Sequence, residues 1–374
     1  MGQADHLVVG AGVLGLSIAW GLASRGAKVV VLDASDTQPR ASTGNFGLVW
    51  LQSKGEKFPA YGAWTRNAID AWPAFAEALH EASGMDPRYR RSGGLGYCLG
   101  EAEWQARVQR TERMRTAHAV DIYDTVMLDR TELARQLPGI TLGPEVVGAS
   151  FNPHDGDVDP LRLMAALRIA LKTLDVVIHR GVIVDRVAAV GNTFVAHAGD
   201  RKWQAERIVL AAGLANAELA PQLGLHGAVH ADRGQILVTE RVAWKLPLPG
   251  NGLRQTPDGT IVIGATKEGP EQDLQATDPL KAAAIARRAI RTLPALRNTR
   301  VVRGWAGLRT LSADSAPVYA QAEGYPGAAV VNSHSGITLA PLHASVLTDW
   351  LLDGSGAEQI SSFSPRRFDV QVPH

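Results

Sequence analysis

The sequence predicts an α/β protein in which a β-α-β unit and its parallel sheet are interleaved along the chain with a second domain of mixed-sheet α+β type. Three observations predict it. The first thirty-three residues read strand, glycine turn, helix, strand. Two later apolar runs, Arg207 to Ala211 and Ala328 to Val331, each end in a loop of small and polar residues. Between them amphipathic helices alternate with further strand-rich blocks, so no single cut divides the chain.

His6-Leu-Val-Val-Gly10 is a short apolar strand. The helix after it carries Leu14, Ile18, Leu22 and Ala23 on one face and is closed by Gly26. Lys28 to Asp33 is the continuous apolar run of a parallel strand covered on both faces. Residues 34 to 60, rich in Ser, Thr, Gly, Asn and Gln, predict a loop. Trp64, Ala68, Trp72, Phe75 and Leu79 recur at helical spacing within Tyr61 to Ser83. Gly93 to Leu99 reads as a strand, Glu101 to Thr116 as a charged helix, and Asp129 to Leu137 as a short helix with an acidic cap, ending before Pro138. The turn-rich stretch Asn152 to Pro160 leads into a helix from Leu161 to Leu174. Strands follow at Val176 to His179, Val182 to Val190, Thr193 to Ala198 and Arg207 to Ala211, then at Gly234 to Thr239 and Gly259 to Gly264. A helix from Pro279 to Leu293, the strand Ala328 to Val331, the loop Asn332 to Gly336 and a helix from Ile337 to Leu352 complete the chain. The implied division gives residues 1–50, 150–225 and 310–374 to the nucleotide-binding domain, and 51–149 and 226–309 to the other.

Composition narrows the function classes. With 38 basic and 37 acidic side chains in 374 residues, the net charge of +1 gives no electrostatic reason to expect nucleic acid or an anionic membrane. The single cysteine, Cys98, excludes an intramolecular disulfide and a Cys-based metal cluster and fits a reducing, cytoplasmic setting; no metal is expected. Leu7 to Ala23 is apolar but follows no basic residue and contains Gly10, Gly12, Gly15 and Gly21, so it reads as a buried strand and helix, not a signal peptide. No other stretch approaches the roughly 20 apolar residues of a membrane span.

Gly10, Gly12 and Gly15 form GxGxxG directly after a strand and at the mouth of a helix. Gly10 permits the tight turn, Gly12 lets backbone approach a pyrophosphate, and Gly15 lets helix pack on strand. The helix N-terminus offers free N–H groups and partial positive charge to phosphates. Asp33, ending the second strand, is placed to accept from ribose hydroxyls and would repel a 2′-phosphate, which disfavours NADP. FAD and NAD share the ADP half, and this fingerprint alone does not separate them.

Four further segments resemble the FAD-dependent amine oxidoreductases, the family that includes glycine oxidase, sarcosine oxidase and D-amino acid oxidase. Arg40-Ala-Ser-Thr-Gly-Asn-Phe-Gly47 resembles the polar loop whose hydroxyls meet the pyrophosphate and whose backbone passes the flavin. Ile208 to Gly213 with Ala215-Asn216 resembles the strand and turn over the ADP moiety. Ile263-Gly-Ala-Thr-Lys267 and Gly304-Trp-Ala-Gly-Leu-Arg309 resemble glycine oxidase in order and spacing. Asn332 to Pro341 resembles the last loop, which leads into a helix aimed at the flavin. Asn45 to Trp50 differs from glycine oxidase and is similar to D-amino acid or opine dehydrogenase subunits.

The resemblance implies a Rossmann-like FAD-binding domain, with FAD contacted by Gly10, Gly12, Val13, Leu14, Gly15, Asp33, Ala34, Ser42, Thr43, Asn45, Phe46, Gly47, Val187, Ala212, Gly213, Gly307, Arg309, Ser335, Gly336, Ile337 and Thr338. It implies that Arg309 grips a substrate carboxylate, aiming the C–H at the flavin, while N–H groups of Ile337, Thr338 and Leu339 stabilise charge on the reduced flavin. His334 stands in the same loop as a donor, charge or proton acceptor. Further pocket candidates are Phe46, Trp50, Tyr97, Arg254, Lys267 and Trp305. With no cysteine near the last loop, FAD is expected to be non-covalent. Val262 stands where sarcosine oxidase has its oxygen-activating lysine, so O2 and another acceptor both remain open. The expected substrate is a small amino acid or N-alkyl or cyclic amino acid, oxidised to the imine. Alternatives are a member of a homo- or hetero-oligomer passing electrons to a partner or quinone, a 2-hydroxy acid oxidoreductase, and a nicotinamide-binding or redox-inactive module.

Overall fold

The computed structural model describes residues 4–34, 40–118, 123–270 and 277–369. Part of the expected loop, residues 35–39, and the last five positions of the first domain's expected span lie outside the described residues. The strand Ala4–Val9 lies inside an eight-stranded sheet, paired in parallel with Val29–Asp33 on one side and Arg201–Leu210 on the other. Val177–Arg180 and Ala328–Asn332 extend the parallel sheet on the two sides, and Val318–Gln321 closes one edge antiparallel. A hairpin of Arg186–Val190 and Thr193–Ala198 lies antiparallel on the first half of Arg201–Leu210.

Strand alternation distributes this sheet between two cores. Val8, Val31, Val209, Ala329 and Val331 face the helices Val13–Ser24, Pro59–Ser83, Pro160–Thr173 and Gly336–Ala344. Leu7, Val9, Leu32, Ile208, Leu210 and Val330 face the other way, against Phe194 of the hairpin and Leu219 and Leu223 of a short helical segment. The helix Pro59–Ser83, expected from sequence within the second domain, buries Trp64, Ala68, Trp72, Phe75 and Leu79 in the first core. Its Trp72 indole N–H donates to the Thr338 carbonyl at 2.8 Å.

The second domain holds two antiparallel sheets joined by a bridge between Leu95 and Gly250. Gly94–Leu99, Val146–Asn152 and Val126–Asp129 form one; Leu253–Gln255, Thr260–Gly264, His230–Arg241 and Val301–Leu311 form the other. Helices Arg130–Gln136 and Pro279–Thr292 cover them through Leu133, Ala289 and the following Leu293. Asp129 accepts from the Glu132 N–H while the Glu132 carboxylate accepts from the Asp129 N–H, a reciprocal cap.

Two expectations change. The single helix from Ile337 to Leu352 is two, Gly336–Ala344 and Val346–Asp353. The backbone leaves the helix at Ser345 (φ −118°, ψ −93°), whose hydroxyl turns back to the Pro341 carbonyl at 2.8 Å, and the Thr348 hydroxyl satisfies the His343 carbonyl at the break. The strand expected over Val182 to Val190 is regular only from Arg186, because the Val182 N–H turns to the Asp33 carbonyl. No described helix is long and apolar enough to cross a membrane.

Candidate functional site

A cavity of about 530 Å³ opens where the parallel strands end, the position at which doubly wound sheets bind ligands. Gly10, Gly12, Val13, Leu14, Asp33, Ala34, Ser42, Thr43, Asn45, Ala212, Gly213, Gly336 and Ile337 line it, with His334 on the same wall. The Leu16 N–H bonds to the Gly12 carbonyl, so the helix Val13–Ser24 begins at the cavity, and the Val13 N–H is met by Ser42 Oγ at 2.9 Å. Asp33 accepts from the Ala11 N–H at 2.6 Å and from Arg40 at 3.1 Å. Each carboxylate oxygen retains a further lone pair for a ligand hydroxyl. Thr43 Oγ1 accepts from the Arg40 N–H and Asn45 Oδ1 from the Gly47 N–H, which folds the polar loop over the opening.

The second helix start differs from expectation in one donor. The Leu339 N–H is spent on the Ser335 carbonyl at 2.9 Å, leaving the N–H groups of Gly336, Ile337 and Thr338 in the uncapped first turn. Ser335 Oγ accepts from the Tyr61 hydroxyl at 2.6 Å, and Thr338 Oγ1 is engaged with the Trp50 N–H and Leu48 carbonyl. These two side chains tether the helix start; they do not line the cavity.

Several sequence assignments move. Val187 is buried in the second core with its N–H donated to Gln222, while Val182 and Val184 line the cavity in its place. Gly15 lies one turn in, where a Cβ would strike the Gly10 carbonyl, so it serves packing. Phe46 and Gly47 stand behind the loop: the Phe46 carbonyl accepts from Arg254, whose guanidinium lies 5.9 Å from the Phe46 ring and 3.5 Å from Asp157. Arg254 is therefore a buried brace for the loop, not a pocket wall. Tyr97 belongs to the separate core of the two antiparallel sheets, with Leu95 and Leu133, and Val262 pairs with Val238 and Arg254 inside the sheet. Trp305 donates from its indole to the Gly44 carbonyl at 3.1 Å. Gly307 sits opposite Gly234, where Arg309 occupies the space a Gly234 Cβ would need.

Leu308 and Thr310 face the cavity, and Arg309 between them turns to the opposite face of the strand. There its guanidinium meets Asp232 at 2.7 Å and the Thr266 carbonyl at 2.7 Å; its Nε–H has no acceptor among the described residues. Behind it Arg233 and Lys281 pair with the buried Glu268, which is held down to about 2: burial opposes the charge, and donors from Thr266, Gln235 and Arg233 prevail. His334 joins the two regions. It lines the cavity, and burial together with the Lys54, Arg309 and Lys267 cations lowers its pKa to about 3. The imidazole is thus neutral at working pH and does not carry a charge for the site.

Sequence reasoning missed Met164, Arg168, Val182, Val184 and Lys54, none of which belongs to a motif, and it quoted Arg40 only as the first residue of the polar loop, without a role at the cavity. It also missed Asp155, wholly buried beside Trp50, which accepts from the Leu51 N–H at 2.5 Å and Gln52 Nε2 at 2.8 Å. Burial pushes its carboxyl up to about 7 despite those donors. Between about pH 4, the unfolded value, and about pH 7 the folded chain holds a proton the unfolded chain has lost, so stability falls as pH rises through that window by up to about 1.4 kcal/mol per unit. Urea denaturation across the window should show the fall, and Asp155→Asn should flatten it; an equal slope in the variant would assign the effect to another group.

The fit to FAD rests on the cavity itself. Two helix starts converge on it, Gly12 keeps the approach open beside Ser42, and the buried Asn332 Nδ2 and Ser333 Oγ on its wall have no partner among the described residues. Comparison with known proteins agrees. The chain is 38% identical to an opine oxidase subunit of Agrobacterium tumefaciens, over 99% of both chains, and 31% identical to glycine oxidase of Pseudomonas putida, over 96% of both. Its fold matches glycine oxidase from Geobacillus kaustophilus with a TM-score of 0.88 at 23% identity, covering 97% of this chain and 98% of that one. The FAD dependent oxidoreductase family matches residues 5–350, and the chain belongs to that family: it is an FAD-dependent oxidoreductase.

Proposed function

We propose that the chain holds FAD non-covalently and oxidises a carboxylate-bearing amine, an N-alkyl amino acid of the opine kind, at the C–H beside nitrogen. The observation that carries this reading is the Arg309 guanidinium, held at 2.7 Å by Asp232 on the strand whose Leu308 and Thr310 line the nucleotide cavity, with His334 on the wall of that cavity. The only cysteine, Cys98, is buried in the strand Gly94–Leu99 and absent from the cavity wall, which supports non-covalent binding.

Bound FAD supplies the two-electron acceptor, and the chain supplies orientation and electrostatics. Arg309 offers a fork for the carboxylate. Burial, with the Lys54, Arg309 and Lys267 cations, keeps His334 unprotonated, and the same surroundings would lower the pKa of a substrate ammonium beside it, so that the amine nitrogen binds with its lone pair free. That lone pair forms the C=N bond as the C–H bonding electrons leave as hydride, and water hydrolyses the imine afterwards.

Anaerobic mixing with glycine, sarcosine, D- and L-amino acids, cyclic imino acids, N-carboxyalkyl amino acids and 2-hydroxy acids should bleach the flavin, fastest with the N-carboxyalkyl amino acids. Oxidised flavin persisting across the panel would overturn the reading. A second reading, in which the chain works within a hetero-oligomer and hands its electrons to a partner, is favoured by the 38% identity to one subunit of an opine oxidase. Peroxide appearing when oxygen is readmitted supports a self-sufficient oxidase; flavin that stays reduced supports the hetero-oligomer.

A further inference from the structure

Two asparagines far apart in sequence meet at the cavity, and the roles of their amide atoms are forced one after the other. Asn216 is fully buried, and its Oδ1 accepts from the Ala212 N–H at 3.1 Å, so its other terminal atom is the NH2. That NH2 donates to the Leu210 carbonyl at 3.2 Å, to the Val331 carbonyl at 3.4 Å and to Asn332 Oδ1 at 2.8 Å. Asn332 must therefore turn its own NH2 away from Asn216. Asn332 is 3% exposed and contributes to the cavity wall, and its Nδ2 has no acceptor among the described residues. A buried donor left unpaired is costly, and a ligand oxygen within reach removes that cost.

The order of the strands says which half of the cofactor supplies that oxygen. Four parallel strands end at the cavity side by side, Val29–Asp33, Ala4–Val9, Arg201–Leu210 and Ala328–Asn332 in that order. Neighbouring strands lie about 5 Å apart, so Asn332 stands about 10 Å from the Gly10 turn, on the side away from Asp33. With the adenosine ribose at Asp33 and the pyrophosphate at the Gly10–Gly12 turn, the part of FAD that continues toward Asn332 is the ribityl chain and flavin. We propose that Asn332 Nδ2 is a hydrogen-bond donor to the ribityl–flavin half of FAD, and that Asn216, which does not line the cavity, is the positioning residue that aims it.

Binding to the purified FAD-loaded protein tests this without turnover. The Kd for FAD is read from flavin fluorescence anisotropy on dilution, and the Kd for ADP from its displacement of that FAD, with circular dichroism confirming that each variant is folded. Asn332→Leu, of similar volume, should weaken FAD about tenfold and change ADP less than about twofold. Asn332→Asp keeps an acceptor for Asn216 but turns an oxygen toward the cavity, so it should weaken FAD as well; a residue that served only to tie the strand ends together would tolerate it. Asn216→Ala should weaken FAD in the unaltered protein and cost nothing further in Asn332→Leu, because it acts through Asn332. Unchanged FAD affinity in Asn332→Leu or Asn332→Asp, or a loss in Asn332→Leu that ADP shares in full, would overturn the donor. Losses that add in the double variant would overturn the positioning role of Asn216, and if Asn216→Ala does not fold, the two Asn332 variants decide the donor by themselves.

Discussion

Gly10→Ala is expected to yield a destabilised protein that purifies without FAD. Gly10 has φ +108°, a conformation that costs an L side chain about 1–3 kcal/mol. A Cβ there would also press on the Ala211 carbonyl and come 2.9 Å from Ala212 Cα. Both contacts are backbone, at the end of the neighbouring strand, so nothing flexible gives way; relief requires the Ala4–Val9 and Arg201–Leu210 strands to part at the mouth of the cavity. The turn that presents the helix start would shift with them. Gly26→Ala isolates the conformational part, because Gly26 has φ +86° with nothing within 4 Å of its would-be Cβ. The comparison is read in flavin absorbance per mole of protein and in Tm. If Gly10→Ala keeps its flavin and matches Gly26→Ala in Tm, the close approach at the turn has no bearing on cofactor binding.

The nucleotide turn was legible in the sequence because its constraints are local. The glycines, the following helix and Asp33 are fixed by short spacings, and the structure puts Gly10, Gly12 and Asp33 on one cavity wall. The Asp129 cap was legible for the same reason. What escaped depends on contacts between distant residues. Val187 was assigned in place of Val182 and Val184 because an apolar run does not say where a strand leaves its sheet. Val301–Leu311 reads poorly as a strand, with Gly304 and Gly307 interrupting its alternation, and is held by pairing along nearly all of His230–Arg241. Arg254 has the charge of a substrate residue, yet Asp157 and the Phe46 carbonyl engage it, and neither partner is near it in sequence. Lys54 carries no signal at all until the fold sets its ammonium 5.6 Å from the Tyr61 ring.

The same distinction bears on Arg309, whose position the resemblance supplied but whose partner it did not. Arg309→Ala is expected to lower kcat/KM for a carboxylate-bearing amine by roughly 30-fold to several thousandfold, corresponding to about 2–5 kcal/mol for truncating one member of a buried charge pair. Part of that loss arises from Asp232, left partly buried with no cation and repelling an incoming carboxylate. Asp232→Asn separates the contributions. It removes the competing charge from Arg309, so affinity for the substrate carboxylate should rise, while the fork loses its anchor and kcat should fall through misalignment. Arg309→Lys, which keeps charge without the planar fork, should fall between Arg309→Ala and the unaltered enzyme. All three variants should retain stoichiometric FAD, because Leu308 and Thr310 line the cofactor cavity and Arg309 does not. An Arg309→Ala protein with full flavin and undiminished kcat/KM would remove Arg309 from the substrate site and leave its contact with Asp232 as an ion pair between strands.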